Sequence, residues 1–352
     1  MVQDHADDSV DSGDTVIDGE AYLEYRQAPL NACSIETCCD NPVTMKPPSE
    51  TNNSNIAAYL PLCLGCYQLD ESTGKRNGRL DLFAVPVKKV DSKASAGCCF
   101  SIDSFGDSIN LLGGGYHDKD SNPPTGVLDG KWYPRKQQQQ QQQQQRQQPE
   151  QQEHFQNYFA SAHASGEILI HQIEQNENTI AARRPFRATL AGKTEPENDN
   201  GDASPSLCLA LAWDHTSTDA TEDLLDTRIV SSYSNGHAAI HKIQQSAPTT
   251  VSRLEITLEH YWSAHKMFTA PAEVWCCAFV HDNDSAPTNT VATGGDEGSW
   301  KLWDMRTSTT KPLYHCPDDF GAGVTVIAPH PRQPHLLAIG SYDETVALYD
   351  VR

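Results

Sequence analysis

The chain has 352 residues, a formal net charge of −21, 38% hydrophobic residues, and 22 Gly with 21 Pro. That is room for one large all-β domain or two small ones, and so many turn formers suit short strands better than long helices. An acidic chain with no basic stripe argues against a nucleic-acid partner. No apolar stretch approaches membrane-spanning length, and MVQDHADDSV has neither the basic start nor the apolar run of a secretory leader. The 11 Cys include adjacent pairs (Cys38-Cys39, Cys98-Cys99, Cys276-Cys277), which make poor disulfides, so reduced thiols and a cytoplasmic location are expected.

Residues 1–20 are acidic and too poor in apolar residues to fold alone, so a disordered tail is expected there. Strand-like character starts near Tyr22 and holds to Arg352. The first unit runs through Ala32 to Cys38, Ile56 to Leu69, and an alternating stretch from Gly78 to Val85. A Ser/Gly/Asp-rich insertion over 88–124 separates it from a second unit beginning at Val127. A glutamine-rich tract within 135–153 interrupts that unit and must project as a loop, since it has no apolar period. The unit resumes at Tyr158 and ends near His171. A polar insertion over 193–205 precedes a third unit, from Leu207 to His241.

The last two units repeat each other most closely. Val274 to Arg306 and Val324 to Arg352 each pass from an apolar strand to a small-residue run, an Asp in a turn, another strand, and aromatic-Asp-x-Arg. Self-similarity ending in Trp303-Asp304 is the mark of a β-propeller blade of the Trp-Asp-repeat type. Five residues on from Gly78, Gly166, Gly236, Gly298 and Glu344 stand Phe83, His171, His241, Trp303 and Tyr349. The intervals between those ring residues, 88, 70, 62 and 46, shrink toward the roughly 40–45 residues a blade needs. The expected fold is therefore an all-β propeller of five recognisable units over 21–352. Arg352 falls just after a third strand, so the remaining blades are expected on sequence not present in this chain.

Several signals carry chemistry. Cys63-Leu64-Gly65-Cys66 has half the spacing of a zinc site, with no second pair to answer it, and strand packing is the other reading. Gly192-Lys193-Thr194 ends like a phosphate loop, but Arg187 stands where that loop needs a glycine. No GxSxG elbow or HExxH helix occurs. Asp296 is expected to bond an upstream His, with Trp303 anchoring the blade, and His265 is open to a structural or a catalytic role. Asp296 and Asp343 are open to turn formation or acid chemistry. Propeller geometry brings the turns between second and third strands to one face with the loops entering each first strand. That face would gather His265, Glu273, Trp275, Asp296, Tyr342, Asp343 and Glu344. Carboxylates beside aromatic faces suit a cationic ligand. An ordinary protein-docking surface would have the same composition.

Ala264-His265 with Glu273-Val274-Trp275, then Gly294-Gly295-Asp296 through Arg306, and Gly340-Ser341-Tyr342-Asp343-Glu344 through Arg352 are more particular. Together with Cys66-Tyr67-Gln68-Leu69, Ala164-Ser165-Gly166 and Ser231-Ser232 they make the chain resemble the diphthine methylesterase family of Trp-Asp-repeat proteins in diphthamide biosynthesis. Ten residues separate Ala264 from Trp275, more than the family usually shows, and Tyr349 stands for the usual Trp. The resemblance implies a carboxylic-ester hydrolase that removes the methyl ester from methylated diphthine on eukaryotic translation elongation factor 2. It implies that factor as partner, with other proteins of the pathway, and no cofactor, metal, nucleic acid or membrane. Water attack assisted by His265 or Glu273, with the Gly294-Gly295 amides holding the oxyanion, is the expected mechanism. Trp275, Asp296, Tyr342, Asp343 and Glu344 would bind the substrate. A non-catalytic scaffold is the alternative.

Overall fold

The computed structural model describes residues 31–37, 56–90, 99–102, 108–110, 125–133, 156–176, 179–182, 186–188, 206–214, 226–245, 254–280, 288–316, 320–331, 333 and 335–352. Every regular element among them is a strand. The first sheet holds β1 (Asn31–Thr37), β2 (Ile56–Asp70), β3 (Lys75–Val90) and β4 (Cys99–Ile102) in that order, with β5 (Ser108–Asn110) also on β3. The second holds β6 (Val127–Trp132), β7 (Gln156–His163) and β8 (Ile168–Asn176), on which β9 (Thr179–Ala182) and β10 (Phe186–Ala188) both pair. The third is β11 (Cys208–Trp213), β12 (Arg228–Tyr233), β13 (His237–Gln245) and β14 (Leu254–Ser263). A small hairpin of β15 (Lys266–Met267) and β16 (Ala270–Pro271) leads into the fourth, β17 (Val274–Phe279), β18 (Thr290–Gly295), β19 (Trp300–Asp304) and β20 (Tyr314–Cys316). The fifth is β21 (Val324–Pro329), β22 (Leu336–Ser341) and β23 (Val346–Asp350).

These are propeller-type meanders, and the first strands β1, β6, β11, β17 and β21 pack against one another in series. Among the described residues the series is not closed. Each gap between consecutive sheets holds its own apolar layer. Leu80, Leu82, Trp132 and Phe159 fill the first, and Ile168, Ile170, Leu211 and Tyr233 the second. Ile240, Trp262, Val291 and Trp303 fill the third, and Trp300, Leu302, Ile327 and Ile339 the fourth. A sheet covered on both faces needs apolar residues at successive positions rather than alternate ones, and β12 is accordingly buried throughout.

The register repeats in detail. In every sheet the first strand carries a bulge against the second: Cys33, Leu128, Leu209, Trp275 and Thr325 are the extra residues. Three residues before the second-strand partner that follows each bulge lie Leu62, Phe159, Ile229, Val291 and Leu337. These pair with Phe83, His171, His241, Trp303 and Tyr349. The expected ring-residue register is therefore the real one. One of its landmarks is not. The left-handed turn residues are Gly74, Gly166, Gly236, Gly298 and Glu344, with φ of 67°, 79°, 79°, 79° and 68°. Gly78 instead lies inside β3, where a Cβ would collide with the Thr125 carbonyl entering the second sheet.

Part of the span expected as loop, 88–124, is strand: β3 reaches Val90, and β4 and β5 follow on its edge. The expected tail at 1–20 and the insertions at 135–153 and 193–205 lie outside the described residues. The neighbours of the glutamine-rich insertion are β6 and β7, adjacent antiparallel strands whose pairing ends at Trp132↔Phe159. Because loop closure changes by only about 0.6 kcal/mol per doubling of length, deleting Gln137 to Gln152 is expected to leave the melting temperature within a few degrees of the parent in a thermal scan. A large drop would make the tract part of the core.

His171 and His241 are fully buried imidazoles. Burial, with His163 nearby, pushes His171 down to about 3, and burial pushes His241 down to about 4. An unfolded His titrates near 6.5. Between those limits the unfolded chain binds protons that the folded chain refuses, so this part of stability is complete above about pH 6.5 and falls as pH drops toward 3–4. Denaturant titrations across that range are expected to show His171→Phe, which copies Phe83 of the first sheet, losing less stability on acidification than the parent. An equal slope would remove His171 from the account.

Candidate functional site

The turns and the loops entering the sheets meet through one repeated backbone bond. The residue two before each left-handed turn position donates its N–H to the residue just before the same sheet's first strand. The pairs are Ala164 to Gly126, Ser234 to Leu207, Asp296 to Glu273 and Tyr342 to Gly323, at 2.8, 3.0, 2.9 and 3.0 Å. Side chains reinforce it: Ser234 Oγ accepts from Leu207 N at 2.9 Å, and Asp343 Oδ2 accepts from Gly321 N at 2.6 Å. This gathers the expected site residues at one end of the fourth and fifth sheets.

His265 is the exception. Its ring is completely buried. Trp303 Nε1 donates to Thr293 Oγ1 at 2.9 Å, so the Thr293 hydroxyl proton is left for His265 Nε2, 2.8 Å away. His265 Nδ1–H then donates to Glu297 Oε1 at 2.5 Å, which also accepts from Ser299 Oγ at 2.8 Å. Burial holds the imidazole below its ordinary pKa against the opposing pull of Glu297. Burial would raise Glu297, but the hydrogen bonds from His265 and Ser299 outweigh it and keep the carboxyl below its usual value. The arrangement is a neutral His on an ionised Glu, with both ring nitrogens spent inside the protein. The geometry gives His265 the structural role of the two left open for it.

The partner of that histidine is Glu297, not the expected Asp296. Asp296 is exposed in the turn, and its N–H is the group committed, to Glu273 O. The signal was present in the register: Glu297 precedes the left-handed Gly298 just as Asp343 precedes the left-handed Glu344. The Gly294-Gly295 amides also fail as an oxyanion site. Both residues are buried, Gly295 N–H donates to Ser299 O at 3.1 Å, and a Cβ on Gly294 would lie 2.5 Å from Val324 Cγ1.

The other residues do come together. Glu273 is exposed, and its Oε2 accepts from Trp275 Nε1 at 3.0 Å. Trp275, the bulged residue of β17, meets Tyr342 edge-on, with centroids 5.0 Å apart and planes at 90°. A side chain at position 323 would run into the Trp275 ring, so Gly323 is what lets the indole lie over the next entry loop. Tyr342 is 69% exposed. Asp343 is a turn former: Thr345, then the Gly321 amide, hold it below the usual carboxylate range. Glu344 is exposed at the left-handed position. Glu273, Asp296 and Glu344 thus offer exposed carboxylates near two rings, an arrangement that attracts a cation by charge and by the ring quadrupole. Among the described residues no group of three or more His, Cys, Asp or Glu is placed to hold a metal ion. Cys63 and Cys66 are buried in β2, with Cys63 in the core between the first two sheets.

With that geometry in place, the class of the protein follows. The WD domain, G-beta repeat family matches residues 257–304, from within β14 through the end of β19, and the all-strand architecture of the described residues fits a WD-repeat β-propeller. It is 27% identical over 201 residues to a diphthine methyltransferase homolog of Dictyostelium discoideum, a stretch covering 54% of this chain and 44% of the relative. It is 32% identical over 198 residues to the diphthine methyltransferase of Mus musculus (54% of this chain, 34% of the relative). Over 146 residues it is 32% identical to that of Homo sapiens (42% and 28%). The chain is thus similar to proteins named for diphthine methyl chemistry, and the matched stretch spans less than half the length of each of these relatives.

Two substitutions test the lock that Trp303, Thr293, His265 and Glu297 form through their hydrogen bonds. Trp303→Ala removes a buried indole and its bond to Thr293, and should cost about 3–5 kcal/mol by chemical denaturation. Gly295→Ala would place a methyl 2.5 Å from His265 Nδ1, and overpacking of that kind costs about 1–3 kcal/mol. A Gly295→Ala protein as stable as the parent would mean that His265 is not held where it is described.

Proposed function

We propose that the face formed by Glu273, Trp275, Asp296, Tyr342 and Glu344 is the substrate site of a carboxylic-ester hydrolase. The reaction is removal of the methyl ester from methylated diphthine on eukaryotic translation elongation factor 2, as a step of diphthamide biosynthesis. The observation that carries this reading is the exposed Glu273 carboxylate bound to the Trp275 indole and faced by Tyr342. Diphthine presents a trimethylammonium group beside its carboxyl, and an indole and a phenol flanked by carboxylates are suited to that cation. The names of the relatives place them at the methyl chemistry of diphthine. Hydrolysis moves the acyl group of the ester to water and releases methanol. Glu273 takes the proton from the attacking water, since His265 is enclosed in the lock.

A second reading, a non-catalytic WD-repeat scaffold, is favoured by one observation. Both ring nitrogens of His265 are spent on Glu297 and Thr293, so that imidazole does not share proton transfer with Glu273. Glu273→Gln keeps the shape and removes the charge, so it separates the two. Hydrolysis of the esterified factor, followed by mass loss of the methylene, should fall by about 10²–10⁴-fold, the usual worth of a general base. Thermal stability should stay at the parent value, because Glu273 is exposed. Unchanged turnover by Glu273→Gln would hand the protein to the scaffold reading.

A further inference from the structure

Between the lock and the candidate site stands the β15–β16 hairpin, paired through Lys266↔Pro271 and Met267↔Ala270. Its tip carries Phe268, which is 98% exposed, and Met267, which is 44% exposed. Phe268 also sits at φ 57°, a left-handed conformation that is unfavourable for a bulky side chain. The base is fixed. Ala264 N and His265 N both donate to Gly236 O at 2.8 and 3.0 Å, and Ala272 N donates to His265 O at 3.3 Å. A bare phenyl ring is thus carried outward on a tethered hairpin rather than folded back on the sheet.

Glu273 follows this hairpin directly, five residues beyond Phe268. Extended chain covers at most roughly 3.3–3.6 Å per residue, so the two backbones lie within about 18 Å of each other. A ligand that meets both must offer an apolar recess and a cationic group at that separation. Glu273, Asp296 and Glu344 are exposed carboxylates, and Lys266 in β15 is an exposed cation at the hairpin's base. The chain's net charge of −21 favours a basic partner surface and opposes an anionic lipid one.

We infer that the β15–β16 hairpin is a docking finger: Phe268, backed by Met267, enters an apolar pocket with a basic rim on the folded protein that carries the esterified side chain. The inference rests on the esterase reading of the adjacent face. It makes the enzyme select a protein substrate at two points, the finger for the body of the protein and the Glu273–Trp275–Tyr342 cluster for the modified side chain. A small ester would use only the second point.

The test uses the full chain and Phe268→Asn, because Asn accepts the left-handed conformation and removes only the ring. Hydrolysis is measured on methyl-esterified elongation factor 2 and on a short peptide carrying the same esterified residue. Association with the esterified factor is measured separately by surface plasmon resonance. Loss of a buried aromatic anchor should weaken association about tenfold or more. KM for the factor should rise accordingly, with kcat and peptide hydrolysis unchanged, and Phe268→Tyr should behave like the parent. Equal association of Phe268→Asn and the parent overturns the finger. If the parent hydrolyses neither substrate, the esterase reading fails, and the association data alone still support or overturn the finger. A parent that ignores the factor but binds phosphatidylcholine–phosphatidylserine vesicles through Phe268 overturns it in favour of a membrane contact.

Discussion

The buried hydroxyl on the second strand of the middle sheets is what the rest of this structure is arranged to satisfy. Ser161, Ser231 and Thr293 occupy one register position, and none can reach water. An unpaired buried hydroxyl is costly, so each must find partners inside. In the second sheet Ser161 Oγ lies 2.8 Å from His163 Nε2 and 3.3 Å from His171 Nε2. In the third, Ser231 donates to Tyr233 OH at 3.0 Å, and that phenol reaches His241 Nε2 at 3.4 Å. In the fourth, Thr293 is held between Trp303 and His265.

One substitution pattern explains why the fourth sheet recruits its partner from outside. His163 and Tyr233 stand two residues after their hydroxyls, and the same position after Thr293 is Gly295. Without a side chain there, a space opens that a Cβ would close, and His265 from the preceding loop fills it. That makes the entry loop of the fourth sheet part of the core. The loop must return to Gly236, surrender His265 and then climb to β17, and the exposed hairpin is the chain left over between those two duties. Rigidity at the lock therefore passes directly to the position of Glu273.

How much of this could be read in the letters depends on what fixes each residue. The aromatic register from Phe83 to Tyr349 was legible because strand pairing has a period that side chains must obey. Gly78 misled because a glycine is demanded by close approach as well as by positive φ; the first sheet's hairpin is longer, and its turn falls at Gly74. Asp296 misled because neighbouring acids are equivalent in composition, and only the distance to the left-handed residue separates a lock acid from an exposed one. The face itself was legible in outline. Its division into a buried half around His265 and an open half around Glu273 was not, since burial of a loop histidine depends on a glycine thirty positions further along the chain.

The repeated turn-to-loop bond supplies the last step toward the site. In all four sheets where it forms, the backbone geometry is the same, so the side chains at its two ends, Ser234 apart, are free of that duty. The second and third sheets carry Gly126 with Ala164 and Leu207 with Ser234 there; the fourth carries Glu273 with Asp296, and the fifth Gly323 with Tyr342. At the bulge the corresponding residues are Leu128, Leu209 and Thr325, against Trp275 in the fourth sheet. Folding asks nothing of these positions that Gly, Ala, Ser or Leu does not already provide. Two carboxylates, an indole and a phenol nevertheless occur where adjacent sheets bring them together, and Gly323 is bare so that the indole fits. Side chains that the repeat does not need, held by a backbone bond that the repeat always makes, are the part of this molecule available to recognise something else.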